Sequence, residues 1–203
     1  MKIICIGRNY VAHARELNNE VPKSPIFFLK PDTALVTGNR PFPYPDFSTD
    51  LHYELELVLR IGRDGRKIRE EDAPDHFNEL ALGVDFTARD LQNRMREKGL
   101  PWEIAKAFDH SAPVSPFYPV GNFSDIHRLG FRLDLNGQTV QQGDTSLMIF
   151  SFEKIISYVS DFITLKKGDL VFTGTPAGVG PVNTGDRLEA YLEGEKVMDF
   201  SVE

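Results

Sequence analysis

The sequence predicts a β-dominated α+β domain, and three observations carry that prediction. Strand-like apolar runs outnumber helical ones, turn residues close several of those runs, and only three helical stretches stand among eight strands. That distribution excludes a regular βαβ alternation. With 203 residues, 41% of them hydrophobic, one globular domain over residues 1–203 is expected, burying roughly 70% of the surface its unfolded chain would expose. No internal repeat, low-complexity tract or linker interrupts it, and PFPYP (41–45) and PVSPFYP (113–119) read as rigid connections.

In chain order the strands are expected at Ile3 to Gly7, Ile26 to Leu29, Leu51 to Ile61, Leu80 to Phe86, Gly130 to Leu135, Leu170 to Thr173, Arg187 to Leu192 and Val197 to Val202. Asn136-Gly137, between LDL and QTV, signals a tight hairpin. The helices are expected at Tyr10 to Leu17, Thr87 to Lys98 and Phe152 to Phe162. The second has the clearest ends, because Thr87 with Asp90 three residues on resembles a capping box and Gly99 stands where a C-terminal cap belongs.

Charge narrows the function. Lys+Arg 23 against Asp+Glu 30 leaves a net charge of −7, with no basic run to neutralise phosphates, which argues against nucleic acid as a partner. No stretch approaches the ~20 apolar residues that span a bilayer, and Ile3 to Ile6 is too short for a signal-peptide core, so a soluble, cytoplasmic protein without a membrane partner is expected. Cys5 is the single cysteine; it forms no internal disulfide and reads as a buried strand thiol.

The chemistry begins in LHYELELVLR (51–60). Alternation along a strand sets Leu51, Tyr53, Leu55, Leu57 and Leu59 on one side and His52, Glu54, Glu56, Val58 and Arg60 on the other. Glu54 and Glu56 then lie about 7 Å apart at the backbone, near enough to converge on one ion. From the strand alone a solvated face is the simpler account, and the metal reading needs a third ligand. In ALGVDFTARD, Asp85 ends an apolar run just before a helix and offers a third oxygen ligand. A set of Asp and Glu without His or Cys favours hard Mg²⁺ or Mn²⁺ over zinc, for which neither HExxH nor paired cysteines occur.

Other segments each admit two readings. In GRNYVAHAREL, His13 and Glu16 share a helical face, as an oriented general base or as an ordinary surface pair. Lys106 in PWEIAKAFDHSAP and Lys30 in FFLKP suit an anion-binding pocket or an exposed position, and Arg89 and Gln92 follow Asp85 on the same helix. The loop TGTPAGVGP (173–181) fits neither GxxxxGK[ST] nor GxGxxG, so its glycines serve a sharp turn or bring backbone N–H groups and Thr175 to a substrate carboxylate.

Taken together, GRNYxxH with a Glu three further on, FLKP, HxELEL, VDFTARDLQ, GLPWxxAKxFD and TGTPxGVGP resemble the fumarylacetoacetate hydrolase family, in its small acylpyruvase and oxaloacetate decarboxylase branch. The resemblance runs in order from Gly7 to about Asp186. It implies a mixed β-sandwich-like roll assembled as a homodimer, with no separate N-terminal domain ahead of it. The implied metal ligands are Glu54, Glu56 and Asp85, holding Mg²⁺ or Mn²⁺. His13, Glu16 and Lys106 are the implied catalytic residues, Arg8, Lys30, Arg89, Gln92 and Thr175 the substrate binders, and the segment carrying His13 a lid.

The activity so implied is metal-dependent hydrolysis of acylpyruvates to a pyruvate enolate. The alternative is decarboxylation or keto–enol tautomerisation of oxaloacetate, which passes through the same kind of enolate without a hydrolytic water. Either way the partner is a small 2-oxo acid. A non-enzymatic protein whose carboxylates hold a structural ion is a third reading, of a different class. Three carboxylates already complete a hard-ion set, which leaves His52 a supporting or structural role.

Overall fold

Strand β5 (Leu55–Ile61) is buried on both faces. Leu55, Leu57, Leu59 and Ile61 enter the main core, while Val58 enters a smaller apolar layer with Ile3, Cys5, Ala81 and Phe172. A strand buried on both sides belongs inside a sheet. The computed structural model describes residues 1–203 and surrounds β5 with a six-stranded mixed sheet. Its order is β2 (Ile26–Lys30), β1 (Ile3–Gly7), β12 (Leu170–Phe172), β5, β6 (Phe77–Val84) and β9 (Tyr118–Pro119). Only β1 and β12 pair in parallel there.

A second, antiparallel sheet of β11 (Gln138–Asp144), β10 (Gly130–Leu135), β14 (Arg187–Leu192) and β15 (Glu195–Ser201) supplies Phe131, Leu133, Leu188, Ala190 and Phe200 to the main core. Its first hairpin turns at Asn136 and Gly137, whose φ values of 52° and 78° are the pair of left-handed residues that a type I′ turn requires. Two small sheets complete the set: β13 (Gly180–Pro181), β4 (Leu51–Tyr53) and β7 (Thr87–Ala88), then β3 (Leu35–Val36) beside β8 (Ala112–Pro113). The architecture is the strand-rich α+β type that the sequence predicts.

Four helices lie among these sheets: α1 (Val11–Glu16), α2 (Arg89–Glu97), α3 (Glu103–Lys106) and α4 (Phe152–Phe162). The last shows how sequence dictates an element. Ser151 Oγ accepts the N–H of Lys154 at 3.2 Å as its cap, and Phe152, Ile155, Ile156 and Val159 form the buried stripe of an amphipathic helix.

Two expectations need correction. The run 51–61 is two strands rather than one: β4 turns into the small sheet, β5 continues in the large one, and Glu54 stands at the break. The break withdraws the Leu55 N–H from the ladder, and Gln141 Oε1 takes it at 2.8 Å. Thr87, for its part, does not cap α2. It lies in β7 opposite His52, its hydroxyl donates to Asp85 O at 3.3 Å, and Asp90 instead accepts from Ser48 Oγ at 2.7 Å. Tertiary strand pairing outcompetes the local capping motif. At the other end Gly99 behaves as expected, with φ 62° and its N–H directed to Arg96 O at 3.2 Å.

Gly83 sits directly opposite Glu56 in the sheet. A Cβ there would lie 2.6 Å from Phe172 Cε1 and 2.8 Å from Val58 Cγ2. Gly83→Ala is therefore expected to lower stability by about 1–3 kcal/mol through overpacking. Urea unfolding checks this; a midpoint equal to the wild type's would show that this layer has slack.

Candidate active site

The site is assembled where the chain passes from the small sheet of β4 into the six-stranded sheet of β5. Past the end of the β5–β6 ladder, the N–H of Asp85 donates to the carbonyl of Glu54 at 2.8 Å, which locks the two residues side by side on adjacent chains. Glu56 follows one pleat along β5. One carboxylate oxygen from each of Glu54, Glu56 and Asp85 lies within 4.8 Å of those of the others, and the three residues are only 5%, 1% and 1% exposed. The solvated-face reading of the two glutamates is thereby excluded.

Three like charges that are this close and this dry need compensation. Lys106, from the end of α3, places Nζ 2.8 Å from Glu54 Oε2 and 2.7 Å from Asp85 Oδ2. Arg89, at the start of α2, contacts Glu54 Oε1 at 2.5 Å and Gln92 Oε1 at 2.5 Å. Burial alone would push the Glu54 carboxyl up, but Lys106 and Arg89 outweigh it and hold Glu54 far below the usual carboxylate range. Burial would likewise lower the Lys106 ammonium, and Asp85 with Glu54 instead keeps it above the usual lysine range.

Glu56 lacks such a partner. Burial, then the neighbouring charges of Asp85 and Glu54, raise its carboxyl well above the ordinary range, against one N–H bond from Gly174 at 2.6 Å. Asp85 Oδ1 receives no hydrogen bond: Lys30 Nζ approaches it to 2.9 Å, but not along a hydrogen-bonding direction. An under-neutralised carboxylate beside an orphaned buried oxygen, in an all-oxygen ligand set, fits a hard divalent cation. Glu54, Glu56 and Asp85 are the residues that would hold it.

A cavity of about 40 Å³ opens on this triad, room for roughly three waters. Arg8, His13, Glu54, Glu56, Asp85, Arg89, Gln92, Lys106 and Thr175 all line it, so residues far apart in the chain converge as the sequence leads one to expect. His13 is 4% exposed, and its Nδ1 lies 3.2 Å from Glu16 Oε2. A carboxylate at Nδ1 makes that nitrogen the donor and leaves Nε2 as the basic one.

Glu16 stays outside the cavity, where its other oxygen accepts the Gly178 N–H at 2.9 Å. The loop that begins at Thr173 therefore spends the N–H groups of Gly174 and Gly178 on the chain's own Glu56 and Glu16, rather than on a substrate carboxylate. Thr175 is similarly committed. Its hydroxyl donates to Leu55 O at 2.8 Å and accepts from Gln141 Nε2 at 2.9 Å.

Lys30 departs furthest from its expected role. It is 2% exposed and absent from the cavity wall, with Nζ bound to Ser111 Oγ at 2.8 Å and to the carbonyls of Lys106, Ser111 and Phe86. It braces Asp85 and the end of α3 from behind. His52 pairs with Asp50 at 2.9 Å, away from the triad, in the structural role expected of it.

Several residues of the site escape sequence reading. Arg96, Asn19, Phe28 and Trp102 also line the cavity. Arg96 was detectable, because it follows Arg89 and Gln92 on the same helical stripe. Gln141, one strand of a different sheet away, carried no local signal. Yet its side chain joins Leu55 N, Thr175 Oγ1 and Pro176 O and so holds the strand break and the glycine-rich loop together.

The geometry agrees with what the chain resembles. The family model of the fumarylacetoacetate (FAA) hydrolase C-terminal domain matches residues 2–202. Among curated proteins, the mitochondrial oxaloacetate tautomerase of Homo sapiens is 47% identical over 201 residues, which is 99% of this chain and 91% of that protein. The mitochondrial oxaloacetate decarboxylase of Dictyostelium discoideum is 41% identical, covering 99% and 93%. Among solved structures, fumarylpyruvate hydrolase from Pseudomonas aeruginosa, in complex with Mn²⁺ and pyruvate, superposes with a TM-score of 0.95 at 42% identity over 100% of this chain and 89% of that one. On the match over residues 2–202 and these identities, the chain belongs to the fumarylacetoacetate hydrolase family.

Proposed function

We propose that this protein catalyses the keto–enol tautomerisation of oxaloacetate, in preference to the acylpyruvate hydrolysis that its motifs first suggest. The observation that carries the reading is the placement of the oriented His13 on the same small cavity as Glu54, Glu56 and Asp85. Relatives named for oxaloacetate chemistry, 41–47% identical over nearly the whole chain, support it.

A divalent ion on the three carboxylates supplies Lewis-acid polarisation of a 2-oxo oxygen. The chain's own residues do the rest. In the enol-to-keto direction the O–H bond at C2 breaks, its electron pair forms the C2=O bond, and the C2=C3 pair takes up a proton at C3. His13 Nε2, basic because Glu16 holds Nδ1, accepts the hydroxyl proton and returns one to carbon. The Lys106 ammonium, held beside Glu54 and Asp85, faces the oxygen on which charge develops. Gln92, fixed by Arg89, offers an amide N–H to the substrate carboxylate.

Decarboxylation of oxaloacetate places negative charge on the same oxygen and uses the same lysine. Acylpyruvate hydrolysis is the second reading, favoured by the His13–Glu16 pair and by the Pseudomonas relative with Mn²⁺ and pyruvate. In that case His13 would activate a water instead.

With Mg²⁺ or Mn²⁺ present, enol-oxaloacetate is expected to be ketonised faster than oxaloacetate is decarboxylated or acetylpyruvate and fumarylpyruvate hydrolysed, and a chelator should abolish all of these activities. Faster hydrolysis of an acylpyruvate would transfer the main activity to the second reading. A metal-dependent gain in Tm without turnover of any of them would mark a binding protein.

His13→Ala is expected to lower tautomerase kcat by about 10²–10⁴-fold, the range for loss of a positioned acid–base group. Unchanged kcat would remove His13 from the proton path.

Glu56→Gln tests the ion site by stability. Because folding raises the Glu56 pKa, the folded state binds more protons than the unfolded one, and metal-free stability should fall as pH rises through the folded pKa. The glutamine variant should lose that slope, match or exceed the wild-type Tm in chelator at pH 8, and show no rise in Tm with Mg²⁺. A full Mg²⁺-induced rise in the variant would rule out Glu56 as a ligand.

A further inference from the structure

Helix α2 carries Arg89, Gln92 and Arg96 at i, i+3 and i+7, one polar stripe, and all three line the cavity. At 1.5 Å per residue, Arg96 lies roughly 10 Å further along the axis than Arg89, toward the mouth. Helical side chains lean toward the helix N-terminus, so the Arg96 side chain is carried back toward the triad rather than away from it. Its Nη2 donates to Asn19 Oδ1 at 2.9 Å, and Asn19 lines the cavity from the segment just after α1.

Arg8 completes the mouth. It follows β1 in a left-handed backbone conformation, φ 60°, which turns the chain sharply as it leaves the sheet. Burial and the like charge of Arg96 both depress its guanidinium below the usual arginine range, so the two cations feel one another.

The cations around the cavity fall into two groups. The deep ones are committed to carboxylates of the chain: Lys30 to Asp85, Lys106 to Glu54 and Asp85, Arg89 to Glu54. Arg8 and Arg96 pair with no acidic side chain. Two unpaired guanidinium groups held against their mutual repulsion at the mouth of a polar cavity match an anion that two planar donor forks can share, and a carboxylate has that shape.

We propose that Arg8 and Arg96 clamp the second carboxylate of a 2-oxo dicarboxylic acid, and that Arg96 releases Asn19 to do so. The site then discriminates diacids from 2-oxo monoacids at its mouth, while the triad end recognises the 2-oxo carboxylate common to both. Arg96 is a specificity residue here, remote from the bonds that change. This inference rests on the reading of oxaloacetate as substrate.

Arg96 is exposed on its helix, so Arg96→Gln should fold. In the Mg²⁺-loaded protein the variant is expected to raise KM for oxaloacetate and weaken its calorimetric Kd by about 10–100-fold, the loss of a charge-assisted pair, with kcat changed by less than about threefold. Pyruvate, which has one carboxylate, should bind wild type and variant within about twofold, and Arg96→Lys should recover part of the diacid affinity. Equal weakening of oxaloacetate and pyruvate, reproduced by Asn19→Ala, would reduce Arg96 to a latch on the α1 segment and overturn the clamp. The two readings fail separately. If the wild type does not turn over oxaloacetate, yet its binding preference for the diacid collapses in Arg96→Gln, the substrate reading falls and the clamp stands. If the wild type turns oxaloacetate over and the preference survives the substitution, the clamp falls alone.

Discussion

Three carboxylates buried against one another dominate this molecule. Isolated ions in a protein interior are too costly to persist, so everything near Glu54, Glu56 and Asp85 acts to lower that cost or to profit from it. Lys106 and Arg89 neutralise Glu54, Lys30 stands behind Asp85, and Glu56 is left to one backbone N–H and an elevated pKa. A divalent cation is the natural complement to that imbalance. The same imbalance makes the cluster a poor structural ion pair and a good reactive site, since part of its charge is held in readiness for a ligand.

Holding such a cluster in place requires a rigid frame, and the frame is made of backbone as much as of side chains. The break between β4 and β5 points Glu54 into the cavity, and Gln141 repairs the hydrogen bond that the break costs. The glycine-rich loop bonds Glu56 through Gly174 and Glu16 through Gly178, so one loop fixes both a carboxylate of the triad and the residue that pairs with His13. Gly174 has φ 103°, and a Cβ there would lie 2.5 Å from Asn9 Cβ, which explains why glycine is needed at that point. Asn9 itself bridges Phe150 and Thr173 through its amide, tying the chain that leads into α1 to the same loop.

Helix α2 organises the site along a polarity gradient. At its N-terminal end Arg89 is spent on the triad, and at its C-terminal end Arg96 is free of any acidic partner. Between them Gln92 keeps the register. A 2-oxo diacid bound as proposed would meet these groups in that order. Under the proposed clamp, recognition at the mouth and activation at the triad would share this one rigid element.

Much of this was legible from residues alone, and the reasons are local. The strand-rich class, the Asn136-Gly137 turn and the extent of α4 follow from apolar periodicity and from φ preferences that need no partner. Alternation over residues 51–60 puts Glu54 and Glu56 on one face but leaves a solvated face open, and only Asp85 together with the surrounding motifs points to a triad; the His13–Glu16 pair is readable because three residues span most of a helical turn. Tertiary structure decided the rest. Thr87 became a strand residue because pairing with β4 outcompeted a local cap, Lys30 turned inward because Asp85 and three carbonyls outbid a substrate, and Gln141 joined the site across a sheet boundary. Sequence determines which groups can make an interaction; which of several buried charges and donors actually meet is settled only when the interior is packed and each polar atom must find its partner.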